Sequence, residues 1–425
     1  MLPARRSISV CTDVRALGCA VMRTRLLLAP ILLTAFVGCS DTESSVTPGV
    51  DTGVVDTAVA DTGVADTGAT VDSTTTDTAA DTAVVDSGAS DTSGDAGAGK
   101  KTVWVARIGD GTAIAADAAG ALFLDPIEIS YSGTTATGTV GTAVAIPATG
   151  AGAITLPISN SVGSLSRSTD GKLVSFMAYK AAPGTAALAN AAPATVKRVA
   201  VSVNATGTVS SMELGAEAAG SGASLRGAVT VDGSAFWTSS GEGIAYTATA
   251  GTTTKIATGN TRWPFAFGGQ LYVTSGSGTP GRGVLSVGTG MPTATATLTV
   301  LPGTSSGSSA SPYGVLALDT DSTAGVDTLY VCDDQATGGV QKFKLESATW
   351  VLKTTHTGGF AGCRGVTGWV DGTNVYLVAV TIETSPRAVL MVDTVAGTTA
   401  LTTSTELAKA ATNAQYRGVA IAPAP

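Results

Sequence analysis

The sequence predicts an all-β fold of repeated four-stranded units. Three observations carry the prediction: a composition rich in turn formers and poor in charge, short apolar runs of strand length, and six copies of one hairpin-like segment. Fifty-three of the 425 residues are Gly, charged residues make up 13% and there is a single His. That balance favours strands and turns, and it leaves few groups for acid–base or metal chemistry. All-β barrels and sandwiches often exceed 200 residues as one unit, so the length does not require a second domain.

From Lys100 onward, apolar runs such as 103–108, 271–274, 328–331 and 375–380 are separated by Gly, Asp, Asn or Pro, and no long stretch keeps a helical period. Only 405–411 reads as a short helix. Six segments share an Arg-Gly-apolar start, a turn and an apolar-aromatic strand. They begin at Arg167, Arg226, Arg262, Tyr313, Arg364 and Arg417, at intervals of 59, 36, 51, 51 and 53 residues. Most gaps leave room for two further strands, for example 340–345 and 349–353, and a four-stranded unit of this length suits a β-propeller blade.

The sixth copy stops after its first strand, near Pro423. Runs at 103–108, 122–129 and 140–146 supply the three strands it lacks. The expected architecture is therefore a single β-propeller of six four-stranded blades over 101–425, closed by pairing N- and C-terminal strands so that no sheet edge is left open. Seven blades or a sandwich are the competing counts.

Ahead of this domain, Met22-Arg23-Thr24-Arg25 precedes the apolar run 26–37, which is too short for a permanent membrane span and reads as a signal region over 1–38 starting at Met22. Residues 39–100 read as a disordered tether behind Cys39. Residues 40–99 hold twelve acids and no base, repeat Asp-Thr at Asp51, Asp56, Asp61 and Asp66, and lack aromatic residues, Leu and Ile. Such a segment cannot bury enough apolar surface to offset its backbone entropy, and its charges repel. Its Asp spacing also lacks the dense pattern that wraps a calcium ion. Residues 100–425 carry nineteen charges of each sign, so nothing points to nonspecific nucleic-acid binding.

Two resemblances follow from these residues. Ala35-Phe36-Val37-Gly38-Cys39 resembles the lipobox of bacterial lipoproteins, with Phe36 and Val37 departing from the usual residues. It implies a lipid on Cys39, a cell-envelope address and, with Ser40 next, the outer membrane. The stretches LSRSTDGK, GVDTLYVCDD, VQKFKL followed by TWVL, and YRGVAIAP resemble exported bacterial β-propeller proteins of uncharacterised function over 102–423. That resemblance implies the fold and an extracytoplasmic home and no reaction, because propellers host many functions.

With Cys11 and Cys19 ahead of Met22 and Cys39 at the lipid site, Cys332 and Cys363 remain as a pair. Both fall on the propeller face that carries the connections between blades, and a disulfide there is worth ~3 kcal/mol. Two buried thiols are the alternative. The repeat-start residues Arg167, Arg226, Arg262, Tyr313, Arg364 and Arg417 begin the innermost strands and so surround one channel mouth, where guanidinium groups could grip a carboxylate, phosphate or sulfated sugar. In the competing reading each Arg pairs with an acid, such as Asp170, Asp232, Asp319, Asp333, Asp334 or Asp371, and holds the ring together. Asp333-Asp334 beside the same mouth could ligate Ca²⁺, the one cofactor considered, although adjacent acids in a turn are usually solvated.

Hydrolysis by a nucleophile is poorly supported. His356 is the sole His, and Gly303-Thr304-Ser305-Ser306-Gly307 lies in a Gly/Ser loop with no helix after it. The expected function is a membrane-anchored, monomeric binding or scaffold module facing a protein, polysaccharide or small anion. The alternative is a propeller hydrolase or lyase using Asp/Glu and Ca²⁺.

Overall fold

The computed structural model describes residues 98–115, 117–158, 161–305 and 311–425. The signal region at 1–38, Cys39 with its lipid, Cys11, Cys19 and the tether up to residue 97 lie outside the described residues. In chain order the structure begins with β1 (Gly99–Ile108), β2 (Ala119–Ser132), β3 (Thr135–Val140), β4 (Val144–Ala145), β5 (Thr155–Pro157), β6 (Ser166–Arg167), β7 (Leu173–Tyr179), β8 (Arg198–Asn204) and β9 (Val209–Glu213). Next come β10 (Leu225–Thr230), β11 (Phe236–Ser240), β12 (Gly243–Thr249) and β13 (Thr252–Thr258), then β14 (Pro264–Phe267), β15 (Gln270–Ser277), β16 (Gly281–Val287) and β17 (Leu298–Val300). The chain ends with β18 (Pro312–Leu318), β19 (Thr328–Asp333), β20 (Val340–Glu346), β21 (Thr349–His356), β22 (Cys363–Asp371), β23 (Asn374–Thr381), β24 (Arg387–Thr394), β25 (Thr405–Lys409) and β26 (Gln415–Ile421).

Strands β10 to β25 form four consecutive four-stranded antiparallel sheets, each in sequence order. The remaining ten strands run β26-β1-β2-β5-β7-β8-β9, with β3 and β4 paired to β2 and β6 paired to β7. The last strand therefore returns to the first, with Val103 opposite Ile421 and Val105 opposite Val419. The fold is all-β, and among the described residues the helical turns are three short 3-10 segments.

The core lies between successive sheets. Val229, Trp237 and Ile244 meet Leu271, Val273 and Leu285; Phe265 and Val284 meet Leu329, Val331 and Phe343; Tyr330 and Val340 meet Leu377 and Val389; and Tyr376, Val378 and Leu390 meet Val103, Val105, Ile127 and Ile129. Each sheet thus buries both faces, which explains why its strands read as continuous apolar runs and not as alternation. The first strands make a closed circuit: β6 packs against β10, β10 against β14, the next sheet reaches β18 through β15, then β18 packs on β22, β22 on β26, and β26 on β6. Packing closes this circuit, not hydrogen bonding, so it is not a barrel.

Two expectations are corrected. Residues 405–411 hold no helix, because 405–409 form β25, whose Leu407 and Ala408 are buried and whose backbone pairs with β24. One short segment cannot recover the cost of nucleating a helix, whereas an open sheet edge supplies hydrogen bonds at once. The strand expected at 140–146 is broken into β3 and β4, which pair with different parts of β2.

Candidate functional site

Three of the six repeat-start residues converge on the aromatic ring of a fourth, Tyr313. Tyr313 is 6% exposed, and Arg262, Arg364 and Arg226 hold their guanidinium carbons 4.2, 5.1 and 5.9 Å from its ring centroid. Arg226 also donates to the Tyr313 hydroxyl at 3.0 Å. Arg262 donates to Ser311 Oγ and the Pro312 carbonyl. Arg364 donates through Nε and Nη2 to Asp334 Oδ2 at 3.0 and 2.7 Å, and Asp334 Oδ1 stands 3.9 Å from Arg262.

Burial pushes Arg262 below its ordinary pKa, with Tyr313 and Asp334 opposing. Arg417 is 5% exposed and donates to Gln415 and the Tyr416 carbonyl. Burial, aided by repulsion from Arg364, brings its pKa to about 10. The space left among Tyr313, Arg364 and Arg417 is about 10 Å³, enough for one water at most. The cluster is closed by its own cation–π contacts, carbonyls and one carboxylate.

Asp333 and Asp334 are likewise engaged. Asp333 is 5% exposed and accepts the backbone N–H groups of Ser311 and Gln335, while Asp334 carries the Arg pair. The expectation of a calcium pair here gives way to a capped turn and an ion pair. Of the other proposed Arg partners, Asp170 acts on Arg167 only electrostatically. A three-carboxylate group does occur at Asp319, Asp321 and Asp327. Each of these already accepts a loop N–H, and Asp327 also accepts from Thr320, Thr328 and Lys344.

Arg167 stands apart from the cluster. It lines a cavity of about 710 Å³ bounded by later residues of the same first strands. Trp263, Phe265, Phe267, Trp369 and Tyr131 form the aromatic wall, and Arg167, Lys100, Lys101, Asp319 and Asp371 supply charge. Arg167 Nε is buried without a hydrogen-bond partner, and burial lowers its pKa, Asp170 only partly opposing. Asp170 Oδ1 accepts from Ser168 Oγ at 2.6 Å and the Lys172 N–H at 3.1 Å. Trp369 is 7% exposed, stacks on Tyr376 and meets Tyr131 at a tilt, and its Nε1–H is also without a partner among the described residues.

The aromatic wall was not singled out from the sequence. A signal exists: Phe267, Leu318 and Trp369 each stand five residues after the repeat-start residue of their segment, and all three line the cavity.

His356 is fully buried, accepts the Leu401 N–H on Nδ1 and places Nε2 3.3 Å from Asp393. Among the described residues, its two ring nitrogens face the Leu401 N–H and Asp393. Thr304 is tied to Val284 and Leu301, Ser305 is followed by no described helix, and Ser306 and Gly307 lie outside the described residues. Cys332 and Cys363 are joined through sulfur, with Cα atoms 5.2 Å apart, linking β19 to the start of β22.

No family model matches the chain, and no curated protein matches it. Solved structures give low-scoring likenesses. A chain of a nidogen–laminin complex aligns at TM-score 0.39 and 14% identity over 76% of this chain and 98% of that one. TolB from Acinetobacter baumannii aligns at 0.38 and 10% over 75% and 67%. A chain from an analysis of two prolyl endopeptidases aligns at 0.30 and 16% over 68% and 41%. Scores this low carry no argument about what this chain does, and the reading of its function rests on its own geometry.

Proposed function

We propose that this chain is a six-bladed β-propeller, held at the cell envelope by a lipid on Cys39, that acts as a binding module with its ligand in the central cavity. The count of six comes from the first strands β6, β10, β14, β18, β22 and β26, which meet in a closed circuit. The ten-stranded sheet is then two blades, β26-β1-β2 with β3 and β4, and β6 to β9, bridged by the short β5. Anchoring is supported by the lipobox-like 35–39 and the acidic tether behind it.

The observation that carries the binding reading is the cavity of about 710 Å³, the size of a small-molecule site, with an aromatic wall and the Arg167 guanidinium in its lining. The His and the most buried acid, by contrast, are engaged with each other inside the fold. Two measurements test the proposal. The full chain made in a Gram-negative host is expected in the membrane fraction, and Cys39→Ala in the soluble fraction; an unchanged distribution overturns the anchor. Thermal unfolding of the detergent-solubilised full chain is expected to rise by several degrees with a small ligand bearing an apolar face. Turnover of such a ligand would overturn the binding reading in favour of an enzyme.

A further inference from the structure

We infer that the central cavity takes a ring-bearing carboxylate, its carboxylate gripped by Arg167 and its ring laid against the aromatic wall. The inference rests on the binding-module reading and deepens it. A guanidinium taken from water needs an acceptor, because unpaired burial of a charge is costly and planar, two-pronged donors match carboxylates best. Arg167 lacks that acceptor among the described residues: Arg226 and Arg262, whose Nε atoms are buried and unpartnered like its own, each place Nη1 on an acceptor, whereas no described residue accepts from the Arg167 guanidinium, and the adjacent Asp170 turns Oδ1 to Ser168 and Lys172.

Its position is held by packing. A Cβ at Gly171 would meet Arg167 Nη2 at 2.9 Å, and Gly171 has φ +72°, so only Gly lets the backbone pass beside the guanidinium there. Trp369 lines the same cavity, with its Nε1–H buried out of reach of it. A guanidinium without an acceptor asks for an anion. Trp263, Phe265, Phe267 and Trp369 ask for a flat apolar body to go with it. Inorganic phosphate satisfies the first requirement and not the second. The lining sets Arg167, Lys100 and Lys101 against Asp319 and Asp371, and Lys100 is paired with Glu128 at 2.9 Å, so the pull on an anion rests on Arg167.

A ring-bearing carboxylate can be an aromatic acid or a uronate sugar, whose apolar ring face stacks on Trp. The probes are therefore phenylacetate, phenylacetamide, digalacturonate and inorganic phosphate, added to the full detergent-solubilised chain and followed by tryptophan fluorescence and calorimetry. Phenylacetate or digalacturonate is expected to bind and to change the emission of Trp263 and Trp369, and which one does identifies the source. Arg167→Gln is expected to weaken binding at least ~10-fold, with Arg167→Lys intermediate because the charge stays and the fork is lost. Trp369→Phe, which trims the bicyclic indole to one ring and so removes stacking surface, is expected to weaken binding severalfold; it carries the test if Arg167→Gln fails to fold.

Binding of phenylacetamide as tightly as phenylacetate, or binding of the acids unchanged in Arg167→Gln, overturns the carboxylate assignment and leaves the module reading standing. Silence toward all four probes overturns the assignment too. The module reading is then judged separately, by its own thermal response to other ligands.

Discussion

A buried charge is tolerated only with its partners in place, and Lys342 and Asp393 illustrate this at the scale of single residues. Lys342 has no exposed surface, yet its Nζ donates to Asp393 Oδ2 at 2.9 Å and to the carbonyls of Thr394, Val395 and Gly397. Tyr330 donates its hydroxyl to the same carboxylate at 2.8 Å. Burial alone would raise the Asp393 pKa, but His356, Lys342 and Tyr330 outweigh it and hold it at about 2 against an ordinary 3.8. Since the folded value lies below the unfolded one, the contribution is complete above about pH 4 and is lost as pH falls toward 2. By linkage it is on the order of 2 kcal/mol. Asp393→Asn is expected to cost about 3–5 kcal/mol at neutral pH, because it strands the Lys342 ammonium. It should also flatten the fall in melting temperature between pH 4 and 2. Denaturant and thermal unfolding of both proteins check this, and parallel acid profiles would sink the assignment.

At the scale of elements, the Arg-Gly start of the repeat serves to bring neighbouring first strands into close approach. A Cβ at Gly314 would meet the Arg364 carbonyl oxygen at 2.7 Å, one at Gly365 the Arg417 carbonyl oxygen at 3.1 Å, and one at Gly418 the Gly163 carbonyl oxygen at 2.3 Å. Gly314 and Gly365 thus admit the backbone of the next strand in the circuit, and Gly418 admits the segment that leads into β6. Gly418→Ala is expected to destabilise the fold by about 1–3 kcal/mol, whereas Gly152→Ala, with open space around the site, should leave the melting temperature nearly unchanged. Equal thermal unfolding of the two variants would contradict the close-approach role. The same strands mark the limit of what the sequence revealed. Runs such as 328–331 and 375–380 were legible because strands buried on both faces are continuously apolar. Residues 405–411 were not, since their state is decided by the open edge of β24, which local propensity does not record. The site was half legible. The repeated Arg marked the first strands, but the pairing of Asp334 with Arg364 across 30 residues, and the separation of Arg167 from the other four, depend on packing between sheets. The aromatic wall was hidden because strand aromatics look alike whether they face a core or a cavity.

For the molecule as a whole, β26 ties together ends of the domain that are more than 300 residues apart in sequence. It pairs with β1 and packs against β22 and β6. Its Tyr416, Val419 and Ala420 are buried, and Arg417 is one of the residues around the small space beside Tyr313. Loop closure over such a separation is entropically expensive, so the final strand is expected to dock late, on sheets that already have their own local hairpins. Until it docks, β1 presents an unpaired edge whose Val103 and Val105 belong to the core shared with β23 and β24, the kind of surface that aggregates. Removing residues 415–425 is therefore expected to do more than subtract one strand's burial. It reopens the circuit, exposes the cavity from one side and leaves a sticky edge. The shortened chain should lose the single sharp thermal transition of the intact protein and elute as soluble aggregates in size-exclusion chromatography. Supplying the missing strand in trans as a peptide should restore part of the transition, since an open sheet edge accepts an added strand. A monomeric shortened chain with an unchanged melting temperature would mean that β26 is an accessory strand, and that the sheets hold their arrangement through other contacts, such as those between β25 and β3.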